Sequence, residues 1–284
     1  MRRLFSPYDP DPAAPRLRRF KPVPIRILIP NLVTLLALCI GLTAIRMAIE
    51  GRIELAVYAI VVAAALDGID GRLARALKAT SRFGAHLDSL ADFVNFGVAP
   101  ALLLYVWVMD DARSIGWLAA LAFALSAALR LARFNAALEG PEMPAFTQNF
   151  FVGVPAPAGA LIVLLPVYLS QLGLPSPPFG AAFAIIFCVG VGILMVSRLP
   201  TYSGKKAGQY IAREWVAPLF VGAIVSVGLL MSYPWEVLAF ATIAYLVMLP
   251  VAAWRYSQLK AAHEASGTLP PGDVAPTEVS STAE

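Results

Sequence analysis

Charged residues, cysteine and histidine are all scarce in this sequence, and each scarcity removes a class of protein. Only 14% of the 284 residues are charged, where soluble domains carry about 25%. An ordinary globular enzyme and a disordered chain are both excluded. The two cysteines, Cys39 and Cys188, sit in separate apolar runs. They offer no disulfide framework and read as packing residues. With only two histidines, a zinc centre has no ligand set. Apolar residues are in excess: 59% of the chain is hydrophobic and its mean hydropathy is +0.72. An all-α integral membrane protein remains.

A helix needs about 20 mostly apolar residues to cross a hydrocarbon core of about 30 Å. Residues 27–45, 93–109, 114–129, 215–235 and 237–254 carry no charge. Residues 143–197 are uncharged throughout, too many for one crossing at about 1.5 Å per residue. The Gly- and Pro-rich stretch from Gln171 to Pro178 divides that run in two. One more span falls between Ile53 and Ala79 and carries Asp67 and Asp70 in its second half. About eight transmembrane helices are expected.

Of the 22 Lys and Arg residues, all but Arg46, Arg52 and Arg113 fall on one side when the N-terminus is placed in the cytoplasm. Both termini are therefore expected there. The net charge of +4 reports topology, and no nucleic-acid partner is expected. Residues 1–26 form a basic, proline-rich segment expected to lie on anionic headgroups, without a cleavable leader. Residues 27–254 form the membrane domain, and residues 255–284 read as a disordered cytoplasmic tail. Trp107, Trp117, Trp215, Trp235 and Trp254 stand at span ends as interface anchors.

Four carboxylates interrupt the apolar background. Asp67 and Asp70 share a helical face with Gly71, Ala74 and Arg75, at i, i+3, i+4, i+7 and i+8. Gly84, Asp88 and Asp92 recur at i, i+4, i+8 on the next helix, after a short connection at 80–83. Two acidic stripes then face each other across a cleft near the cytoplasmic edge of the bilayer. Four facing carboxylates need compensation. Oxygen-only ligands select hard ions such as Mg²⁺, Mn²⁺ or Ca²⁺, and two ions about 3.5–4 Å apart can clamp a phosphoryl centre. Gly71 and Gly84 leave room for a close-approaching ligand, and Arg75 is placed for phosphate. Buried salt bridges to Arg72 or Arg75 are the plain alternative, but four acids outnumber the bases that share their face. An ion pathway is another, but the acids gather toward one side of the bilayer. His86 falls opposite the acidic stripe and reads as a packing or interfacial residue.

The pattern Asp67-x2-Asp70-Gly71-x2-Ala74-Arg75-x8-Gly84-x3-Asp88-x3-Asp92 resembles the signature of the CDP-alcohol phosphatidyltransferases at every fixed position. The resemblance implies a six-helix membrane core, in which a phosphatidyl group passes from a CDP-linked lipid to an alcohol with release of CMP. It implies that Asp67, Asp70, Asp88 and Asp92 hold two ions, Mg²⁺ or Mn²⁺, and that Asp92 is also the general base. It places Gly71, Ala74, Arg75, Ser81 and Gly84, with Asn31 and Thr34 of the first span, against the CDP-lipid. A homodimer in the cell inner membrane, with its site facing the cytoplasm, is also implied.

The segments Leu129–Asn135, Phe151–Gly159 and Ser197–Lys206 are similar to the branch that uses L-serine with CDP-diacylglycerol, although Asn95 stands where that branch has serine. Arg130 and Arg133 share a face at i, i+3 and suit the serine carboxylate, with Arg198 as a further candidate. Choline, glycerol phosphate and an inositol phosphate stay open as acceptors. Choline would favour an aromatic cage, and a phosphorylated acceptor would want more basic groups.

Overall fold

The computed structural model describes residues 25–79, 81–138, 150–174, 180–197, 199–202 and 213–265. Arg198, Lys205 and Lys206, nearly all of the basic N-terminal segment and the end of the tail lie outside them.

Small residues decide how the first two helices meet. On α1 (Ile25–Ile49) the buried positions include Pro30, Thr34, Ala37, Gly41, Ala44 and Ala48, at alternating steps of four and three. On α2 (Ile53–Ala76) Ala56, Ile60, Ala63 and Asp70 are buried on the matching stripe. Without bulky side chains between them the backbones come close, as membrane helices require when lipid is as apolar as leucine. Leu28, Leu32, Leu36 and Leu42 point outward instead, more than half exposed. The turn between the helices is set by Gly51, whose φ of 75° puts it in the left-handed region. Arg52 N–H bonds Met47 O and Gly51 N–H bonds Ala48 O, closing the helix end.

The α2–α3 turn repeats this geometry without glycine. Lys78 has a φ of 50° while Ala79 N–H bonds Ala74 O and Lys78 N–H bonds Arg75 O. A left-handed lysine costs about 1–2 kcal/mol. Ser81 then caps α3 (Arg82–Asp92), its Oγ accepting from Gly84 N–H at 3.0 Å. Helix α3 runs on through a π-helical segment, Phe93–Val98, into α4 (Ala99–Trp107). Pro100 lacks the N–H that would bond Phe96 O, and the preceding turn widens so that Ala99 N–H reaches Val94 O.

A 3₁₀ turn at Met109–Ala112 leads into α5 (Ser114–Leu138), which packs against α8 (Gly180–Val196). Cys188 of α8 is buried there with Sγ against Ala119 O, whereas Cys39 is exposed on α1. Between α5 and α8 lie β1 (Phe150–Val152), α6 (Ala156–Val163) and α7 (Leu165–Gln171). β1 pairs antiparallel with β2 (Pro200–Tyr202), Phe151 opposite Thr201. Helices α9 (Arg213–Ser232) and α10 (Pro234–Ala265) complete the chain.

Two differences from the sequence reading have local causes. Of the uncharged run from Met143, the described part begins at Phe150 as a strand and turns helical at Ala156, because Gly153, with a φ of 79°, and Pro155 stand before it. Helix α10 continues through Arg255 to Ala265, past the boundary set for the tail, since residues 255–265 are mostly helix formers without Gly or Pro. Among the described residues, four helical stretches are long and apolar enough to cross a membrane: Leu28–Ile49, Arg82–Trp107, Ser114–Ala137 and Pro234–Arg255. Helix α2 has the length, at 24 residues, but carries the acids. Ala156–Gln171, Gly180–Val196 and Ala217–Ser232 are shorter apolar helices. This is a helical integral membrane protein.

Gly41 tests the close packing directly. A Cβ there would overlap the carboxamide of Asn95, itself buried in the π-helical segment without a hydrogen-bond partner. Gly41→Ala should therefore destabilise the protein by about 1–3 kcal/mol. Gly41→Ala combined with Asn95→Ala should recover most of the loss, read as thermal unfolding in detergent. Additive losses in the double variant would show that the two positions are independent.

Candidate metal and phosphate site

The α1–α2 packing stripe ends at the acids. Thr34, the last polar position on the buried face of α1, places Oγ1 2.6 Å from Asp70 Oδ2 and 3.1 Å from Pro30 O. Asp70 is 4% exposed, and its other oxygen, Oδ1, is buried without a partner. The tight α2–α3 turn brings the second acidic stripe alongside. Asp67, Asp70 and Asp88 each present an oxygen within 4.8 Å of the others, a group that can hold a metal ion. Asp92 follows one turn farther along α3 as an interacting neighbour of Asp67.

The donor set fits a hard divalent cation. Every ligand atom is a carboxylate oxygen, one of them orphaned in the interior, and no Lys or Arg forms an ion pair with these acids among the described residues. The salt-bridge alternative has no such pair to rest on.

A cavity of about 180 Å³ opens beside the carboxylates between α1, α2 and α3. All seven residues expected at a CDP-lipid, Asn31, Thr34, Gly71, Ala74, Arg75, Ser81 and Gly84, line it with Asp70 and Asp88. At Gly71 a Cβ would meet only Arg75 Nη1, at 3.8 Å, an ordinary contact distance. Gly84 differs. A Cβ there would come within 2.8 Å of Asn31 Oδ1, so its missing side chain admits helix α1. Ser81, besides lining the cavity, caps α3. His86 is exposed, away from the acids.

The arginines of α5 lie on the other side of α3. Arg130 is 8% exposed, donates from Nε to Val154 O, and has Asp92 and Tyr245 as electrostatic neighbours. Arg133 is exposed and donates from Nη1 to Val196 O at 2.7 Å. Both are expected from the sequence to suit a serine carboxylate, and each also spends one N–H on a main-chain carbonyl. A guanidinium has five, so capacity remains. The sequence reading missed a link beside them. Asn135 Nδ2 donates to Ser89 Oγ at 2.9 Å, while Ser89 donates to Ala85 O. The only signal was a polar residue next to Asp88, facing away from α2.

A family model described as CDP-alcohol phosphatidyltransferase matches residues 27–196, and a second, CDP-alcohol phosphatidyltransferase 2, matches residues 214–250. Among curated proteins the chain is similar to the CDP-diacylglycerol–serine O-phosphatidyltransferase of Mycobacterium leprae, with 41% identity covering 88% of this chain and 82% of that one. The proteins of the same name from Mycobacterium tuberculosis and Helicobacter pylori (strain 26695) are 39% and 32% identical. Those two matches cover 79% and 82% of this chain, and 78% and 93% of the relatives.

The carboxylate geometry generates a substrate-free test. Purified protein should bind Mn²⁺, read as loss of the free-ion electron paramagnetic resonance signal. Asp67→Asn, Asp70→Asn and Asp88→Asn should each weaken that binding by at least about tenfold, or about 1.4 kcal/mol. Unchanged binding in all three would remove the metal from the site.

Proposed function

The chain belongs to the CDP-alcohol phosphatidyltransferase family, and from that premise we propose that it transfers the phosphatidyl group of CDP-diacylglycerol to the hydroxyl of L-serine. The observation that carries this reading is the shared name of the relatives, all serine transferases, matched over most of their length. The carboxylate cluster beside a phosphate-sized cavity supports it.

The residues divide the work as follows. Gly71 and Ala74 give the cavity a low wall, and Arg75 reaches over it toward the donor's phosphates. Asn31, Ser81 and Gly84 form the opposite wall, where α1 meets the start of α3. Asp67, Asp70, Asp88 and Asp92 would hold two Mg²⁺ or Mn²⁺ ions. When bound, these neutralise charge on the transferring phosphoryl group and polarise the attacking hydroxyl. Asp92, on the side of α3 nearer Arg130, takes the serine hydroxyl proton. The serine oxygen bonds to the lipid-side phosphorus, the phosphoanhydride bond breaks, and CMP leaves. Arg130 and Arg133 use their remaining N–H groups for the serine carboxylate, with Arg198 as a third cation.

Eight spans, a six-helix catalytic core and cytoplasmic termini belong to the same reading, supported by the uneven distribution of Lys and Arg. So do the cell inner membrane, a homodimer, a cytoplasmic active site, and a three-part chain divided near residues 26 and 255.

With CDP-diacylglycerol and Mg²⁺ or Mn²⁺, CMP release should require serine and stop in EDTA. Ethanolamine, lacking the carboxylate, should be a poor acceptor because the arginines would be left unpaired. Choline, glycerol phosphate and inositol phosphate complete the panel, and faster turnover with any of them would displace serine.

The donor wall is probed separately. Arg75→Ala should raise the KM for CDP-diacylglycerol by about 10- to 100-fold while leaving that for serine nearly unchanged. A raised serine KM alone would mean that donor and acceptor sides are interchanged.

A further inference from the structure

Thr34 lies at the junction of the α1 packing stripe, the cavity and the acids, and its single hydroxyl proton has two acceptors within reach. A threonine inside a helix usually gives that proton back to the carbonyl four residues earlier. Here Pro30 O is that carbonyl, at 3.1 Å, yet Asp70 Oδ2 is closer, at 2.6 Å. The shorter distance is the length of a hydroxyl bonded to a carboxylate, which is about twice as strong as a neutral bond. Thr34 is 6% exposed and Asp70 is 4% exposed, so water does not compete well for either.

The two oxygens of Asp70 are consequently unlike each other. Oδ2 is held by Thr34, while Oδ1 is buried without a partner. A carboxylate pinned by one oxygen cannot rotate freely about its terminal bond, so the orientation of its free oxygen is fixed. Asp70 belongs to the cluster whose oxygens gather within 4.8 Å.

We infer that Thr34 is a positioning residue for the metal site: it acts through Asp70, orienting that ligand for the cation, and is not a contact of the CDP-lipid. This rests on reading the acids as metal ligands, and it reassigns a residue that the family resemblance places against the donor. Outer hydrogen bonds of this kind change metal affinity by about 10- to 100-fold.

The experiment compares Thr34→Val, which keeps the shape and removes the hydroxyl, with Thr34→Ser, which keeps the hydroxyl. Mn²⁺ affinity of the full-length protein is measured by electron paramagnetic resonance without donor or acceptor. Thr34→Val should weaken Mn²⁺ binding by about 10- to 100-fold, and Thr34→Ser should restore most of it. The metal concentration for half-maximal CMP release should rise in parallel, with the donor KM at saturating metal unchanged. Wild-type Mn²⁺ affinity in Thr34→Val would overturn the inference, whether or not the donor KM rises. If Thr34→Val does not fold, Thr34→Ala takes its place and the Thr34→Ser comparison is unaffected. A protein that binds no Mn²⁺ at all overturns the metal reading itself. One that binds Mn²⁺ but releases no CMP with any acceptor overturns the proposed function alone.

Discussion

Carboxylates crowded together inside a membrane protein repel one another, and this fold holds them so. Two unit charges 4 Å apart interact by about 4 kcal/mol at an effective dielectric constant of 20. Asp67, Asp70 and Asp88 present oxygens within 4.8 Å, and Asp92 adds a fourth carboxyl beside Asp67. Apolar packing remote from the acids supplies the opposing force. Ala37, Gly41, Ala44 and Ala48 lock α1 onto α2, and Phe96, Leu103 and Leu104 bury the helix that continues from α3. A divalent cation held by these oxygens would offset that repulsion.

The same constraint accounts for several costly local choices. Lys78 takes a left-handed conformation because the α2–α3 turn must be short enough to bring Asp88 back to Asp67. Ser81 spends its oxygen on capping α3 at once, so that the acids sit on regular helix from the first turn. Beyond Asp92 the helix widens into a π-helical segment before Pro100. That extra width turns Asn95 into the interior against Gly41, one turn deeper than the acids.

Local periodicity made part of this legible in advance. The stripes at 67, 70, 71, 74, 75 and at 84, 88, 92 follow from helical spacing alone, and the structure places them face to face. The small-residue stripe from Thr34 to Ala48 was equally available, in steps of four and three, but apolar composition hid it. Other features depend on partners far along the chain. Nothing near Arg130 announces Val154 O, and nothing near Arg133 announces Val196 O. The short β1–β2 pairing joins residues 50 apart, and β1 was hidden inside an uncharged run read as two helices. At Gly84 the contact with Asn31 of α1 was equally out of view, since its missing Cβ makes room for a residue on another helix.

The two sides of the site differ in how they are built, and the difference bears on chemistry. The cavity beside the acids draws on three consecutive helices, from Pro30 to Asp88, so its geometry is carried by a short, nearly continuous piece of chain. On the other side, Arg130 of α5 has Asp92 and Tyr245 of α10 as neighbours and bonds the loop before α6, while Arg133 bonds the end of α8. On the first side Thr34, Asp70 and Arg75 line one cavity, so the metal and phosphate contacts are built from the same short piece of chain. On the second side each contact comes from a different segment, so one can change without disturbing the acids. Chemistry common to a family belongs on the first side. Under the proposed function, discrimination among alcohols would belong to the second side, where Arg130 has Asp92 as a neighbour and donates to the backbone of a distant loop.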